Sequence, residues 1–332
     1  DAYNIAIGHL AGENITTGVN NTIVGSLAGD ALTTGEGSIA IGKSALSATT
    51  VGHDNVAIGK ETLASNVLGS SSIAIGSLAL QDQAPSGTGN MYNIAIGHHA
   101  GKQITSGVEN TIMGGLAGDA LTTGSENVAL GYAALSSEDA HGQNVAVGHS
   151  ALASQNAGAN GLNTAVGYFA GLNVTTGVQN TLIGGLAGDA LTTGSFNVAI
   201  GYSALSTEDN HGKNIAIGYR ALSSQNAGAE AFNVAVGFDS GRSISTGTLN
   251  TLVGGRAGDS VTTGAYNTAL GIDALGTEDA GSANTAIGAL TLAQQDAGAD
   301  AFNTAVGYSA GVAVTTGVQN TIIGGLAGDA FT

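Results

Sequence analysis

Two short stretches of the sequence place a glutamate, an aspartate and a histidine within four residues of one another. They read SSEDAHG at 136–142 and STEDNHG at 206–212. Carboxylate and imidazole groups at this spacing are ligands that a divalent metal ion accepts. A third copy, GTEDAGS at 276–282, lacks the histidine. Because one copy breaks the pattern, and the copies lie far apart in the chain, we interpret the stretches as solvated turns and predict no metal site.

A second recurring acid is the aspartate of the motif AGDA, which reads AGDS in one copy. Calcium requires six or more oxygen ligands from one convergent loop. One aspartate per motif does not supply them within a single chain. We therefore expect these residues to cap turns: Asp30, Asp119, Asp189 and Asp259.

The same pattern of near-identical copies argues against catalysis. The string NTIVGSLAGDALTTG at 21–35 returns with few changes at four later places in the chain. Catalysis rarely needs five copies of a site, and seven lysines and arginines leave few cations for a substrate groove. We predict no catalytic residues, no cofactor and no enzyme activity. A solenoid enzyme that processes polysaccharides is an alternative, and it would require clustered charged residues in a groove.

These copies belong to a shorter repeat that covers the whole chain and opens with the motif Asn-x-x-x-Gly. Most steps between repeats are 17 residues, three are 19 and one is 21. From Asn93 onward, groups of four repeats form super-repeats of 70 residues. The 19 repeats begin at Asn4, Asn21, Ser38, Asn55, Ser72, Asn93, Asn110, Asn127, Asn144, Asn163, Asn180, Asn197, Asn214, Asn233, Asn250, Asn267, Asn284, Asn303 and Asn320.

Each repeat is predicted to form one coil of a parallel β-solenoid, or β-roll, so the fold class is all-β. Positions 1–5, such as NIAIG, are rich in β-branched residues and end on an invariant glycine. A later TTG or NAG segment predicts a turn. Position 9 is glycine where position 12 is aliphatic, and leucine where position 12 is polar, which indicates one shared core slot. We predict 19 coils in one continuous shaft over residues 1–332, with an irregular insertion at about 81–92.

Two sets of residues are predicted to hold coils or chains together. The opening asparagine is expected to form an amide ladder between coils, as in other stacked β structures. Strand positions 3 and 4 are both large and apolar in several repeats, and successive strand residues face opposite sides. One side therefore faces outward and predicts a parallel homotrimer. The ladder candidates are Asn4, Asn21, Asn110, Asn180, Asn250 and Asn320. The trimer-interface candidates are Ile23, Ile112, Leu182, Leu252 and Ile322, or their position-4 neighbours.

The composition excludes several kinds of partner. The formal net charge is −17, from 24 acids and seven bases. Such a surface repels phosphate, so we expect no nucleic-acid partner. No apolar run approaches the length of about 18 residues that a membrane span needs, so we expect no membrane insertion.

Strings such as NIAIGHLAG, SIAIGKSALS and NVAIGKETLA resemble the Asn-x-x-Ile-Gly-x-x-Ala repeats of trimeric autotransporter adhesin heads, the YadA-like β-roll. The 17-residue form with Thr-Thr-Gly resembles the repeats of tail-fibre proteins of phages and bacteria more closely, because autotransporter heads usually use shorter coils. The resemblance covers the whole chain. It implies a trimeric fibre or adhesin shaft, located outside the cell, on its surface or on a virion, that takes part in host-surface attachment.

A cell-surface glycan or receptor is the partner that this resemblance implies. A row of aromatic residues after the invariant glycine is a candidate for stacking on sugars, although outward-leaning aromatics on a fibre would look the same. The candidates are Tyr132, Tyr168, Tyr202, Tyr219 and Tyr308.

An ice-binding solenoid is the alternative from another class. It would need a flat, regular threonine array, and Thr-Thr at repeat positions 13–14 occurs chiefly in two repeat types of four.

The two ends of the sequence fall inside a repeat. DAYN at 1–4 matches the repeat junction DAFN at 300–303, and the last repeat stops at GDAFT. We therefore expect a segment of a longer polypeptide, or short chains that stack end to end.

Overall fold

The computed structural model of the protein describes residues 2–331 and divides into two compact units, one ending at Asn163 and one beginning at Thr164. Each unit is an all-β parallel β-solenoid. The first contains nine repeat strands and the second contains ten. Residues 2–331 contain no helix, and hence no helix long and apolar enough to cross a membrane.

The first unit contains the nine repeat strands and one additional pair of two-residue strands. Its strands are β1 (Ile5–Ile7), β2 (Thr22–Val24), β3 (Ile39–Ile41), β4 (Val56–Ile58), β5 (Gly69–Ser70), β6 (Ile73–Ile75), β7 (Gly89–Asn90), β8 (Ile94–Ile96), β9 (Thr111–Met113), β10 (Val128–Leu130) and β11 (Val145–Val147).

The second unit contains repeat strands only. They are β12 (Thr164–Val166), β13 (Thr181–Ile183), β14 (Val198–Ile200), β15 (Ile215–Ile217), β16 (Val234–Val236), β17 (Thr251–Val253), β18 (Thr268–Leu270), β19 (Thr285–Ile287), β20 (Thr304–Val306) and β21 (Thr321–Ile323).

Within each unit, every repeat strand pairs in parallel with the strand of the next repeat, and identical repeat positions lie opposite one another. In the first unit Ala6 is opposite Ile23, which is 17 residues later. In the second unit Ala216 is opposite Ala235, 19 residues later. A longer repeat therefore keeps its strand in register and places its two extra residues in the turn.

The predicted insertion at about 81–92 lies in the first unit. It adds more residues than the 19-residue repeats do, and it also leaves the strand register unchanged. Strand β7 pairs with β5, with Gly89 opposite Gly69. Met91, directly after β7, is buried. Strand β8 then pairs with β6 in the usual register, with Ile94 opposite Ile73. The four additional residues of this repeat form a side loop and do not shift the solenoid.

The invariant glycine at position 5 ends the strand and permits close stacking of coils. Gly184 has a φ of +134°, a conformation that residues with a Cβ rarely adopt. A Cβ on Gly184 would lie 2.5 Å from Gly201 O of the next coil. The repeat therefore needs glycine here for its backbone angle and for the small separation between coils.

The core of each coil is filled by the residues at positions 3, 9 and 12. Where one of these positions is small, another is large. A Cβ on Gly188, at position 9, would lie 2.7 Å from Leu182 Cδ2 and 2.8 Å from Leu191 Cδ1. In another coil Leu205 occupies position 9, and both it and the smaller Ala199 at position 3 are buried. Positions 3, 9 and 12 therefore share one packing volume, which is the exchange visible in the sequence.

Candidate functional site

The asparagine at position 1 joins neighbouring coils through its side chain. The Asn21 N–H donates to Asn4 Oδ1 at 2.9 Å, and Asn21 Nδ2 donates to Gly35 O at 2.9 Å. Most of these bonds join a side chain to the backbone. Amide-to-amide bonds also occur, as from Asn110 Nδ2 to Asn93 Oδ1 at 3.1 Å.

The other ladder candidates are placed in the same way. Asn180 and Asn250 each donate from Nδ2 to the glycine carbonyl of their own turn at 2.9 Å. The Asn320 N–H donates to Asn303 Oδ1 at 2.8 Å. These bonds hold neighbouring coils together. Elsewhere in the column Asn214 Nδ2 and Asn284 Nδ2 are buried without a hydrogen-bond partner.

The position-3 residues that we predicted at a trimer axis lie inside the protomer. Their exposed fractions are at most 4%. These residues point into the coil, and Leu182 packs beside the position-9 glycine, Gly188. A side chain with no exposed surface cannot contribute to an interface, so the prediction was wrong for this position. The residues concerned are Ile23, Ile112, Leu182, Leu252 and Ile322.

Strand positions 2 and 4 form the outward face of the sheet in each unit, and we call this the strand face. Position 4 is Ile, Val, Leu or Met in every repeat, and position 2 is Ile, Val or Thr. Both positions are partly or fully exposed in every repeat strand. Met113 is 42% exposed and Ile183 is 37% exposed. No residue at either position is ionisable, although the chain contains 31 charged residues of the Asp, Glu, Lys and Arg types.

The aromatic residues at position 6 are exposed, and several stack on one another. Tyr219 lies between Tyr202 and Phe238, with ring centroids 5.7 Å and 5.1 Å away and ring planes within 15° of parallel. Tyr219 therefore has a stacked aromatic neighbour on each side. In the first unit Tyr132 lies against His149 at 5.3 Å. The five predicted glycan-contact residues are all 41–59% exposed: Tyr132, Tyr168, Tyr202, Tyr219 and Tyr308.

A second row of exposed aromatic residues precedes the asparagine of several repeats, on the other side of the strand. This row was not among the predicted contact residues, although an aromatic residue directly before the opening asparagine is its sequence signal. All of these residues have a φ between 45° and 63°. They are Tyr3, Tyr92, Phe196, Phe232, Tyr266 and Phe302. Aromatic residues therefore lie on both sides of the strand face.

The acidic turns that we interpreted as solvated contain a buried glutamate. Glu138 has no exposed side-chain surface, and its Oε1 accepts the His141 N–H at 3.2 Å. Burial raises the pKa of the Glu138 carboxyl, and the His141 and Ala157 amides offset part of that shift. Glu208 and Glu278 occupy the same position in the second unit and are equally buried.

A ladder of alternating charge lies on the second unit. Arg220, Asp239, Arg256 and Asp273 occupy position 7 of four successive repeats. The closest pair is Arg256 Nη2 with Asp273 Oδ2, at 2.7 Å. Arg220 Nε lies 3.7 Å from Asp239 Oδ1. The alternation of sign at the repeat spacing was the sequence signal for this ladder, and exposed pairs of this kind stabilise a fold only slightly.

Two strings match short functional motifs by letter but not by structure. GSIAIGKS at 37–44 fits the phosphate-loop pattern, and GYSAG at 307–311 fits the nucleophile-elbow pattern. Ile39–Ile41 form strand β3, and the Gly42 N–H already donates to Val24 O at 2.8 Å. Ser309 is buried. Both motifs need a following helix, and residues 2–331 contain none.

No family model matches the chain. No curated protein matches it either.

Proposed function

We propose that the protein is the shaft of an extracellular fibre, of the phage tail-fibre or bacterial surface-fibre kind, and that it assembles as a parallel homotrimer through the strand face. The observation that supports this proposal is the strand face itself. It carries two aliphatic or threonine side chains per coil and no ionisable group, on a chain with a net charge of −17.

Burial of the strand face in a contact between chains would be favourable because its side chains are apolar. Burying apolar surface contributes about 25 cal/mol per Å², and a row of exposed aliphatic side chains along every coil is a typical interface signal. A second copy of the same chain is the partner that matches it. Its strand face is equally uncharged, so two copies avoid desolvating a charge on contact. Three copies is the number that the resemblance to fibre and adhesin repeats implies.

The flanking aromatic rows support the same arrangement. Tyrosine and phenylalanine are enriched at protein interfaces. Here they lie on both sides of the strand, after the glycine at position 5 and before the asparagine at position 1. They would form the edges of each contact between chains, with the aliphatic side chains at its centre.

The test replaces two strand-face residues with charged ones. In Ile183→Glu combined with Ile200→Glu, uncompensated carboxylates would be buried between chains, so we expect monomers in light scattering. Both side chains point outward at strand ends, so circular dichroism should stay unchanged. The matched control is Thr176→Glu with Thr246→Glu, which adds the same charge at exposed turn positions. Trimers in the strand-face variant, or monomers in the control, would contradict the proposal.

We propose that the attachment role uses aromatic rings whose faces remain open. Gly185 separates Tyr168 from Tyr202 in the position-6 row, so the Tyr202 face on that side has no aromatic neighbour at position 6. Sugars stack on open ring faces. In a glycan array, Tyr202→Ala should lower binding more than Tyr219→Ala does, because Tyr219 has a stacked aromatic neighbour on each side. Equal loss in the two variants would contradict this assignment.

Ice binding is a second candidate, and one observation favours it. Five successive coils of the second unit have threonine at position 2 of the strand face: Thr251, Thr268, Thr285, Thr304 and Thr321. The threonines at position 13 are less suitable, because hydroxyls such as those of Thr175 and Thr192 donate to the next coil. Thermal hysteresis by the wild-type chain, abolished in Thr268→Lys with Thr285→Lys, would favour ice binding over the fibre proposal.

A further inference from the structure

Three turns of the solenoid place three metal-ligating side chains close together. In each group the ligating atoms lie within 4.8 Å of one another. The first group lies in the first unit and the other two lie in the second. The groups are Glu138 with Asp139 and His141, Glu208 with Asp209 and His211, and Glu278 with Asp279 and Asp296.

The glutamate of each group is fully buried and has an unused oxygen. Glu138 Oε2 makes no well-aligned hydrogen bond, and the same holds for this atom in Glu208 and Glu278. The nearby amides of Ala157, Ala227 and Ala297 offset only part of the rise in the pKa of these carboxyls. A buried carboxylate oxygen without a partner is costly, because it loses water and gains nothing in exchange. A hydrophobic side chain at this position would avoid the cost of burying a carboxylate.

The histidine of the first two groups is also buried at its ligating atom and unpaired there. His141 Nδ1 lies 3.6 Å from Glu138 Oε1, and His211 Nδ1 lies 3.6 Å from Glu208 Oε1. This distance is too long for a hydrogen bond. It is close to the separation of about 3.4 Å between two ligands that each lie about 2.0–2.2 Å from one tetrahedral ion.

The histidine stands at a position that other coils reserve for glycine. Gly124 and Gly194 occupy position 15 one coil earlier, and a Cβ there would meet the backbone of the next coil. His141 and His211 are each followed by a 19-residue coil, whose turn bulges. Gly158, the position-15 residue of the coil after His141, has no heavy atom within 4 Å of an added Cβ. The turn of the longer coil is therefore open at this position.

The third group replaces the lost imidazole with a carboxylate from the neighbouring coil. Gly281 takes the place of the histidine, and Asp296 supplies the third ligand. The corresponding residues of the other copies are Asn156 and Asn226, which are neutral. Asp296 and Asp279 face each other across adjacent coils, an arrangement that destabilises a sheet-like stack unless something lies between the charges. The Asp279 charge raises the pKa of Asp296.

We propose that each of these three turns binds one divalent transition-metal ion, with Zn²⁺ as the best match for the first two. Imidazole with carboxylate ligands suits zinc, and water completes the coordination. The third site has oxygen ligands only and binds zinc more weakly. In the first two sites the ion closes one turn, and in the third it joins two adjacent coils.

Isothermal titration of chelator-treated full-length chain with ZnCl₂ tests this assignment. We expect three ions per chain, two bound more tightly than the third. His141→Ala should remove one tight site, and His141→Ala with His211→Ala should remove both. Asp296→Asn, which installs the residue of the other two copies, should remove only the weak site. The control Asp300→Asn changes an exposed acid outside the groups and should leave all three.

The test remains valid if one of the variants folds poorly. Circular dichroism before titration identifies such a variant, and Asp296→Asn installs a residue that the same turn tolerates elsewhere in the chain. The count is made per chain, so it does not depend on assembly. Absence of zinc binding tighter than millimolar, or an unchanged count in both the double histidine variant and Asp296→Asn, would overturn the proposal.

Discussion

Asn110 illustrates how much of the solenoid's stability depends on single buried side chains. Its Oδ1 accepts the Asn127 N–H at 3.0 Å, and its Nδ2 donates to Gly124 O at 2.9 Å. Removing the amide leaves a buried donor and a buried acceptor unpaired. Each unpaired group costs about 1–3 kcal/mol.

We therefore expect Asn110→Ala to lower the free energy of unfolding by about 2–6 kcal/mol. Urea denaturation followed by circular dichroism measures this loss, and hydrogen exchange at the Asn127 amide shows whether it is local. The control Ser106→Ala alters an exposed side chain in the same coil. A loss no larger than that of Ser106→Ala would show that the asparagine column is not a stabilising ladder.

Asp189 predicts how the stability of the fold depends on pH. Burial raises the pKa of its carboxyl above the ordinary 3.8, and its Oδ1 has no hydrogen-bond partner. The folded state therefore binds this proton more tightly than the unfolded state. The resulting stabilisation is complete below pH 3.8 and is lost as pH rises through the raised pKa.

Asp189→Asn removes this titration, so the variant should be more stable than the wild type at pH 7. The difference in stability between the variant and the wild type should shrink as the pH falls toward 4, because the wild-type carboxyl then becomes neutral like the amide. Melting temperatures of the two proteins, measured in parallel across this range, report the difference. An advantage that grows on acidification would mean that the sign of the pKa shift is wrong.

At the scale of the coil, the position-5 glycine fixes the spacing between strands. Gly184→Ala would combine backbone strain at φ +134° with a 2.5 Å approach to Gly201 O. Strain and overpacking each cost about 1–3 kcal/mol, so we expect a loss of about 2–6 kcal/mol.

The matched control is Gly228→Ala. Gly228 also has a positive φ, of +67°, but no heavy atom lies within 4 Å of an added Cβ. Its loss should be limited to the strain of the left-handed conformation, about 1–2 kcal/mol. Urea denaturation of the two variants compares them, and equal losses would indicate that coil spacing does not depend on Gly184.

The coil itself could be predicted from the sequence because its signals are local and repeated. The spacing of Asn-x-x-x-Gly gave the strand register, and the exchange between positions 9 and 12 indicated the shared core volume. The side of the strand that faces inward was harder to predict. Ile23 and Val24 are both large, so alternation alone did not distinguish them. The small Ala40 and Ala57 at position 3 of the next coils were the better indicator.

The buried glutamates could not be predicted in the same way. A stretch such as SSEDAHG reads as solvent-exposed because its residues are polar. The burial of Glu138 depends on the next coil, since Gln155 occupies the same position one repeat later and both side chains are fully buried. Such packing between coils is not encoded in any single repeat.

At the scale of the whole molecule, charge and apolar surface are separated. The acids and bases lie in turns and at positions 6–17, whereas positions 2 and 4 of the strand carry none. The net charge of −17 disfavours association through the charged parts of the surface, because like charges repel. The strand face is the part of each coil at which copies of the chain can meet without placing a charge in the contact.

Association of copies of this chain through the strand face can be measured as the mass of the wild-type protein in solution. One chain has a mass of 32.1 kDa, so a trimer has three times that value, about 96 kDa. Sedimentation equilibrium at micromolar concentration should give the trimer mass. A mass of 32.1 kDa under these conditions would show that the strand face stays uncovered and that the protein does not assemble as a trimer.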